Sequence, residues 1–466
     1  MHALRVPSAA VLALTVAAPL AAQPVRTLST PQFEYAEPFS QITGLRELRD
    51  GRVIVADLRD KTLQAIDLRS GRATAIGREG SGPNEWGMLA RLLPFAGDSV
   101  LLVDPLNSRF LLIGPDGRPV RTIMPAGGGG PMVMGGPAGA AGAAGAGGRA
   151  VVSGQAGGAA GAASGASAGA AGGRAAGAAG GRAAGAAAGQ GAAQAAGGRG
   201  GPTMSFGGLG PLAARGVDRQ GRMYSEGFPV VMTEQGPVTA DSVPLLRQAF
   251  GATAADTMAW IQLPKNAANV QASGSGGQQT MAIRIGGNTP FVTGDQWAVA
   301  PDGRIVIARV KDYHLDVIMP DKRVVRGPAV AYTPVRVTEA DKTQWREERR
   351  AAPAMAISNN NNNGAVTRSV ATAAAVQEPD SWPATKSPFG GNAVSIAPNG
   401  QAWVRRQMPA SERAPTFDIF DVQGKLTGQI KFPARTSLLG FGAKGVYLAR
   451  MDDDDLQYIQ HHAMTW

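Results

Sequence analysis

The sequence predicts an all-β protein, a six-bladed β-propeller closed by an N-terminal strand, with a disordered Gly/Ala-rich insertion and one short inserted helix. Three observations carry this expectation. A hairpin signature recurs six times. Where nothing intervenes, the copies keep a near-constant spacing: Gly51 to Gly97 is 46 positions and Gly400 to Gly445 is 45. The sixth copy lacks an outer strand, which the start of the mature chain can supply.

Each copy is an apolar segment, a short turn and a second apolar segment. The turns are Asp50-Gly51, Gly97-Asp98, Gln220-Gly221, Asp302-Gly303, Asn399-Gly400 and Lys444-Gly445. Asp-Gly and Asn-Gly favour positive φ, which suits the twist of paired strands. The flanking runs, such as Val53-Ile54-Val55-Ala56 and Ile305-Val306-Ile307-Ala308, are rich in β-branched residues. A period of about 45 residues is the length of one four-stranded blade. Third and fourth strands are legible at 63–68 and 72–76, at 109–113 and 120–123, and at 416–422 and 426–432. In the last copy 457–464 reads as a third strand, and 25–33 is the candidate for its outer strand. Closure in this way removes the open edge that a radial array would otherwise expose.

Residues 1–22 read as a secretory signal peptide: Arg5, the apolar run from Ala9 to Leu20, then small residues before Gln23. Residues 23–466 are then one propeller, exported to the periplasm or beyond the cell. No later segment approaches the ~20 apolar residues of a membrane span. There is no cysteine, so lipidation after the signal, cysteine-based zinc sites and thiol chemistry are excluded.

Insertions interrupt the ring. Residues 126–201 are nearly all Gly and Ala, without a strict three-residue period, and have too little to bury to fold. From Gly117 to Val217 there is no acidic residue but seven arginines, which account for most of the net charge of +10. That distribution implies a soluble spacer, with weak attachment to an anionic surface as the alternative, and no nucleic-acid partner. Residues 265–279 read as a polar connector. In the insertion at 327–386, Thr338 and Asp341 form a capping box for a helix over 339–351, and the Asn run 359–363 reads as loop.

Between the first two blades lies Ile76-Gly77-Arg78-Glu79-Gly80-Ser81-Gly82-Pro83-Asn84-Glu85-Trp86. This resembles the G-x-x-G-x-G-P-x-E-aromatic segment of bacterial exported six-bladed propellers related to the NHL and TolB-like groups. The resemblance implies the fold and export, and brings no catalytic residues with it. Trp86 stands where Phe or Tyr is usual, and the long insertion at Ala126 departs from the group.

The loops that lead into the inner strands converge on one end of the channel, near Gln41, Glu85, Gly210, Asp295, Asn392 and Arg435. Glu85, Asp295 and Asn392 supply hard oxygen atoms of the kind Ca²⁺ accepts, and are the candidate metal residues. Asp452 to Asp455 lack the alternating spacing of a calcium loop and read as a solvated turn. His461 and His462 are adjacent on a strand and point to opposite faces. His314, in a third strand, reads as structural. Gly165-Ala166-Ser167-Ala168-Gly169 matches a nucleophile-elbow pattern but lacks the strand-to-helix setting that gives the pattern meaning. The expected function is a monomeric, non-catalytic binding or scaffold module for a protein, peptide or glycan. The alternative is a calcium-dependent lactonase- or esterase-like hydrolase working at the channel.

Overall fold

The computed structural model describes residues 24–124, 214–233, 236–252, 254–264, 268–273, 280–285, 289–351, 356–362, 365–371, 378–379 and 381–466. The signal peptide expected at 1–22 and the Gly/Ala insertion expected at 126–201 lie outside the described residues. The rest forms a six-bladed β-propeller. Blade I comprises Ile42–Glu47, Val53–Asp57, Thr62–Asp67 and Arg72–Ala75, from the channel outward. Blade II comprises Arg91–Phe95, Ser99–Asp104, Arg109–Ile113 and Pro119–Ile123. Blade III runs from Gly216–Val217 through Arg222–Glu226 and Ser242–Ala249 to Asp256–Gln262, and blade IV from Gln296–Val299 through Ile305–Arg309 and His314–Ile318 to Val324–Arg326. Blade V has Phe389–Ile396, Ala402–Arg406, Thr416–Phe420 and Leu426–Lys431; blade VI has Thr436–Gly442, Gly445–Met451 and Gln457–Ala463.

The glycine of the repeat has a definite task. In blades I, III, IV and V it alone is left-handed, with φ of 87° at Gly51, 74° at Gly221, 87° at Gly303 and 83° at Gly400. Its amide returns to the carbonyl three residues earlier, as Gly51 does to Leu48 and Gly303 to Ala300, each at 2.9 Å. This is a type I turn closed by a glycine bulge, not the two-residue turn with two positive φ values. The preceding polar residue finishes the turn: Asp50 Oδ1 accepts from the Arg52 amide at 3.0 Å, and Asn399 Oδ1 from the Gln401 amide at 3.1 Å.

The core is six seams between neighbouring blades. Side chains alternate along a strand, so one strand feeds two seams. In blade II, Val100 and Leu102 face blade I while Leu101 and Val103 face blade III. In blade IV, Ile305 and Ile307 face blade III while Val306 and Ala308 face blade V.

Closure differs in detail from the single strand expected at 25–33. Phe33–Glu34 completes blade VI, antiparallel, with Phe33 opposite His461. Val25–Thr27 instead adds a fifth, parallel strand to blade V, with Val25 opposite Gln429. Between them Leu28 drops into the seam of blades V and VI, while Tyr35 and Phe39 enter the seam of VI and I. The segment is staggered across two blades because its apolar residues fill two different seams. Glu34 secures the crossing through Arg450 at 2.8 Å and Gln460 at 2.6 Å.

The insertions carry more strand than the sequence suggests. The Asn run expected as loop falls largely in Ala356–Asn362, which pairs with Ala365–Ala371; Ala268–Ser273 pairs with Thr280–Ile285, and Val230–Thr233 with Gly236–Thr239. Backbone pairing across a hairpin needs no apolar sequence pattern, so none of the three was legible. No helix among the described residues is long and apolar enough to cross a membrane.

Among the described residues, Leu28 is the N-terminal side chain buried in the seam of blades V and VI. Leu28→Ala is expected to lower stability by about 2–4 kcal/mol, read as a shifted urea midpoint at unchanged slope.

Candidate functional site

Inner strands start, and second strands end, on the same face of the ring. Interblade linkers and the loops between second and third strands therefore meet there. Their backbone donors need partners, and buried carboxylates supply them. At the end of the second strand of blade I, Asp57 Oδ2 accepts from the Ser40 and Gln41 amides at 2.7 and 3.0 Å, and Oδ1 from those of Arg59 and Asp60 at 2.9 and 3.0 Å. Asp104 repeats the arrangement in blade II with Gly87, Met88 and Asn107. Each carboxylate ties the linker before the inner strand to the loop after the second.

Blade IV reverses the polarity. Arg309 ends the second strand, and the acid, Asp295, lies on the incoming linker. Asp295 Oδ2 accepts from Gln262 N at 2.9 Å and Arg309 Nη1 at 2.8 Å, and Oδ1 from Val310 N at 3.0 Å. Arg309 Nε also donates to Asp316 at 2.7 Å. Burial alone would depress the Arg309 pKa, but the two carboxylates raise it.

Glu85 belongs to the glycine-rich linker between blades I and II. Its Oε2 accepts from Gly82 N and its Oε1 from Arg78 Nε, both at 2.7 Å, and these bonds hold its pKa below the usual range. The carboxylate lies so close that a Cβ on Gly80 would sit 2.1 Å from Oε2, which accounts for the glycine there. The loop winds around Arg109, whose guanidinium donates to the carbonyls of Gly80, Ser81, Gly82 and Glu85 at 2.7–3.3 Å and to Asp104 at 3.2 Å. Trp86 plugs the seam beneath.

Asn392, at φ 53° on a bulge of the inner strand of blade V, is exposed; its amide donates to Gln296 Oε1 at 2.7 Å. Gln296 follows Asp295, so Asn392 and Asp295 are neighbours. Glu85 belongs to the other side of the ring. Gly210 lies outside the described residues. As the donors stand, they do not fit one calcium ion: the carboxylates of Glu85 and Asp295 are taken up by N–H donors, and among the described residues no three His, Cys, Asp or Glu side chains are grouped to hold a metal.

The other motifs are structural in setting. His462 Nδ1 lies 2.7 Å from Ser29 O and Nε2 3.1 Å from Gln460 Oε1, whereas the His461 ring stacks near Tyr447. Asp452 Oδ1 closes the acidic turn by accepting from the Asp454 and Leu456 amides.

A second cluster on this face escaped sequence reasoning. The helix occupies Glu339–Ala351, with the reciprocal cap in place: Thr338 N donates to Asp341 Oδ2 at 2.8 Å, and Asp341 N to Thr338 Oγ1 at 3.4 Å. The same Asp341 is buried against Lys386 Nζ at 2.8 Å and accepts from Ala410 N at 2.7 Å. Lys386 also donates to Met408 O at 2.7 Å. The helix is thus pinned to the second-to-third-strand loop of blade V. Burial would raise the Asp341 pKa, yet Lys386, Thr338 and Ala410 hold it at about 2. The helix carries Trp345, edge-on to Trp382 at 5.3 Å, and Trp382 contacts Phe291 at 6.1 Å. Lys342 and Arg346 lie over Trp382 at 5.6 and 5.4 Å, and Arg349 over Trp345 at 5.0 Å. Both tryptophans are half-buried. The available signal was Trp345 on the predicted helix, but its partner lies beyond two stretches of low-complexity sequence.

No family model and no curated protein matches the chain. Solved propellers are similar over nearly the full length. A Bacteroides fragilis protein provisionally described as exported is 8% identical, with 94% of each chain covered and a TM-score of 0.38. The calcium-binding protein regucalcin from Agrobacterium tumefaciens is 11% identical over 95% of this chain and 97% of its own, with a TM-score of 0.31. A gluconolactonase from Xanthomonas campestris is 11% identical over 94% and 98%, also at 0.31. At these identities the likeness is one of fold.

Arg109→Lys keeps the charge but loses the fork that gathers the linker carbonyls; it is expected to cost about 2–4 kcal/mol in chemical denaturation. The Asp341 carboxylate has a folded pKa depressed from 3.8 to about 2. Its contribution is therefore complete above its unfolded value and lost as pH falls toward 2. Hydrogen exchange over 339–351 should quicken across that window, and Lys386→Met should quicken it at neutral pH by weakening the helix's attachment by about 3 kcal/mol.

Proposed function

We propose that the protein is a non-catalytic binding module acting outside the cytoplasm, in the periplasm or beyond the cell, and that its linker-bearing face takes a protein, peptide or glycan partner. The Trp345–Trp382 pair carries this reading. Two large aromatic side chains stand half-open where the inserted helix meets the segment leading into blade V, outside the hydrophobic seams, with three cationic side chains over their rings. Tryptophan combines a large apolar face with a polar edge at little entropic cost, and is enriched where proteins bind one another. Such rings also offer a stacking surface to a sugar. The buried Asp341–Lys386 pair supports the same reading, because it fixes the helix that carries Trp345 against the body of the ring.

The test is a binding screen of the mature protein against immobilised peptides and envelope glycans, with Trp345→Ala and Trp382→Ala in parallel. A probe that binds the native protein and loses at least about tenfold in affinity with either variant is the expected result. Equal binding by native and variant proteins overturns the reading. So does a calcium-dependent rise in melting temperature, abolished by Asp295→Asn and accompanied by hydrolysis of lactones or esters; that outcome would put a calcium-dependent hydrolase working at the channel in its place.

A further inference from the structure

The repeat itself exposes an unfilled position in the seam of blades IV and V. Arg406 ends the second strand of blade V as Arg309 ends that of blade IV. Asp418, opposite Val404, corresponds to Asp316, opposite Ile307. The two arginines are nevertheless partnered differently. Arg309 is shared between two carboxylates, Asp316 at 2.7 Å and Asp295 at 2.8 Å. The residue of blade V that corresponds to Asp295, five positions before the turn alanine in each repeat, is Asn392, and it is turned outward on its bulge. Arg406 is left with Asp418 at 3.9 Å, beyond hydrogen-bonding distance. Asp418 is itself taken up by the Tyr313 hydroxyl at 2.6 Å and Gln429 Nε2 at 2.7 Å.

The Arg406 side chain, 26% exposed, borders a cleft of about 290 Å³. Asp418 lies in the wall beside it. The remaining lining is mainly apolar: Val330 and Tyr332 from the segment leaving blade IV, Leu426 of blade V, and Val25 of the added fifth strand.

We infer that this cleft binds a small monocarboxylate with an apolar tail, its carboxylate taking on Arg406 the place that Asp295 takes on Arg309. A guanidinium presents its donors in a planar fork suited to a carboxylate, and blade IV demonstrates that one such group in this fold serves two acids at once. The tail lies against Val330, Tyr332 and Leu426. The volume is at the lower end of ligand pockets, which limits the tail to a few carbons or one ring. A dicarboxylate is disfavoured, because its second charge would meet Asp418 and the apolar wall. This site is separate from the tryptophan pair, so it does not depend on the partner proposed above.

The experiment is calorimetric titration and thermal unfolding of the mature protein with butyrate and benzoate, against butyramide and succinate. Saturable binding of a monocarboxylate with a matching rise in melting temperature is expected, with neither effect from the amide or the diacid. Arg406→Gln should weaken binding at least about tenfold. Val330→Trp, which fills the cleft and keeps the arginine, should abolish it, while Trp345→Ala leaves it unchanged. The inference is overturned if neither monocarboxylate binds at millimolar concentration, or if binding survives Arg406→Gln or Val330→Trp.

Discussion

Burial on both faces of every blade is the constraint on which the rest of the structure depends. A sheet with one wet face would read as alternating apolar and polar residues. Here Val53 and Val55 face blade VI while Ile54 and Ala56 face blade II, so both sets must be apolar. Each blade is held by its two neighbours rather than by its own packing, and no seam is complete until the ring is. The N-terminal segment matters for that reason: Leu28, Tyr35 and Phe39 fill the two seams that flank the last blade.

The ring has two unlike faces. One carries mainly tight turns, such as Leu48–Gly51 and Ala300–Gly303, closed within themselves and tied to the next blade by single bonds such as that from Arg49 N to Asp98 at 2.8 Å. The other carries the linkers, the inserted helix and the inserted hairpins, and its longer backbone needs outside partners. The buried acids of that face meet this need, which is why Asp57, Asp104 and Asp295 are oriented toward amides instead of the channel. A carboxylate that closes four backbone bonds is poorly placed to serve a cation as well. The aromatic pair formed between the inserted helix and the segment before blade V is free of such duties.

The sequence revealed the blades because a turn glycine and a doubly apolar strand are local signals, repeated at a fixed spacing. The helix over 339–351 was legible for a similar reason, since Thr338 and Asp341 sit one turn apart. What could not be read was partnership across the ring. Nothing local distinguishes Glu85 as a ligand from Glu85 as an acceptor for Gly82, because the glycine amides that need a partner leave no mark in the sequence. The exchange of acid and base between Asp104 and Arg109 in blade II and Asp295 and Arg309 in blade IV is likewise visible only when strand ends and linkers lie side by side. Asp57 and Asp104 did leave a trace, an acid ending two successive repeats, which becomes meaningful once the second strand is known to end beside the incoming linker.

The staggered closure also sets an order of events for the growing chain. Val25–Thr27 is synthesised first among the described strands, yet it pairs with Gln429–Lys431, and Phe33–Glu34 pairs with Gln460 and His461. Until almost the whole chain has been made, these early residues have no native place, and blade I presents one bare apolar face. Blades can form one by one as they emerge, but the ring must wait for its end. A chain still being made therefore stays open until its last strand arrives, and becomes a closed body only then.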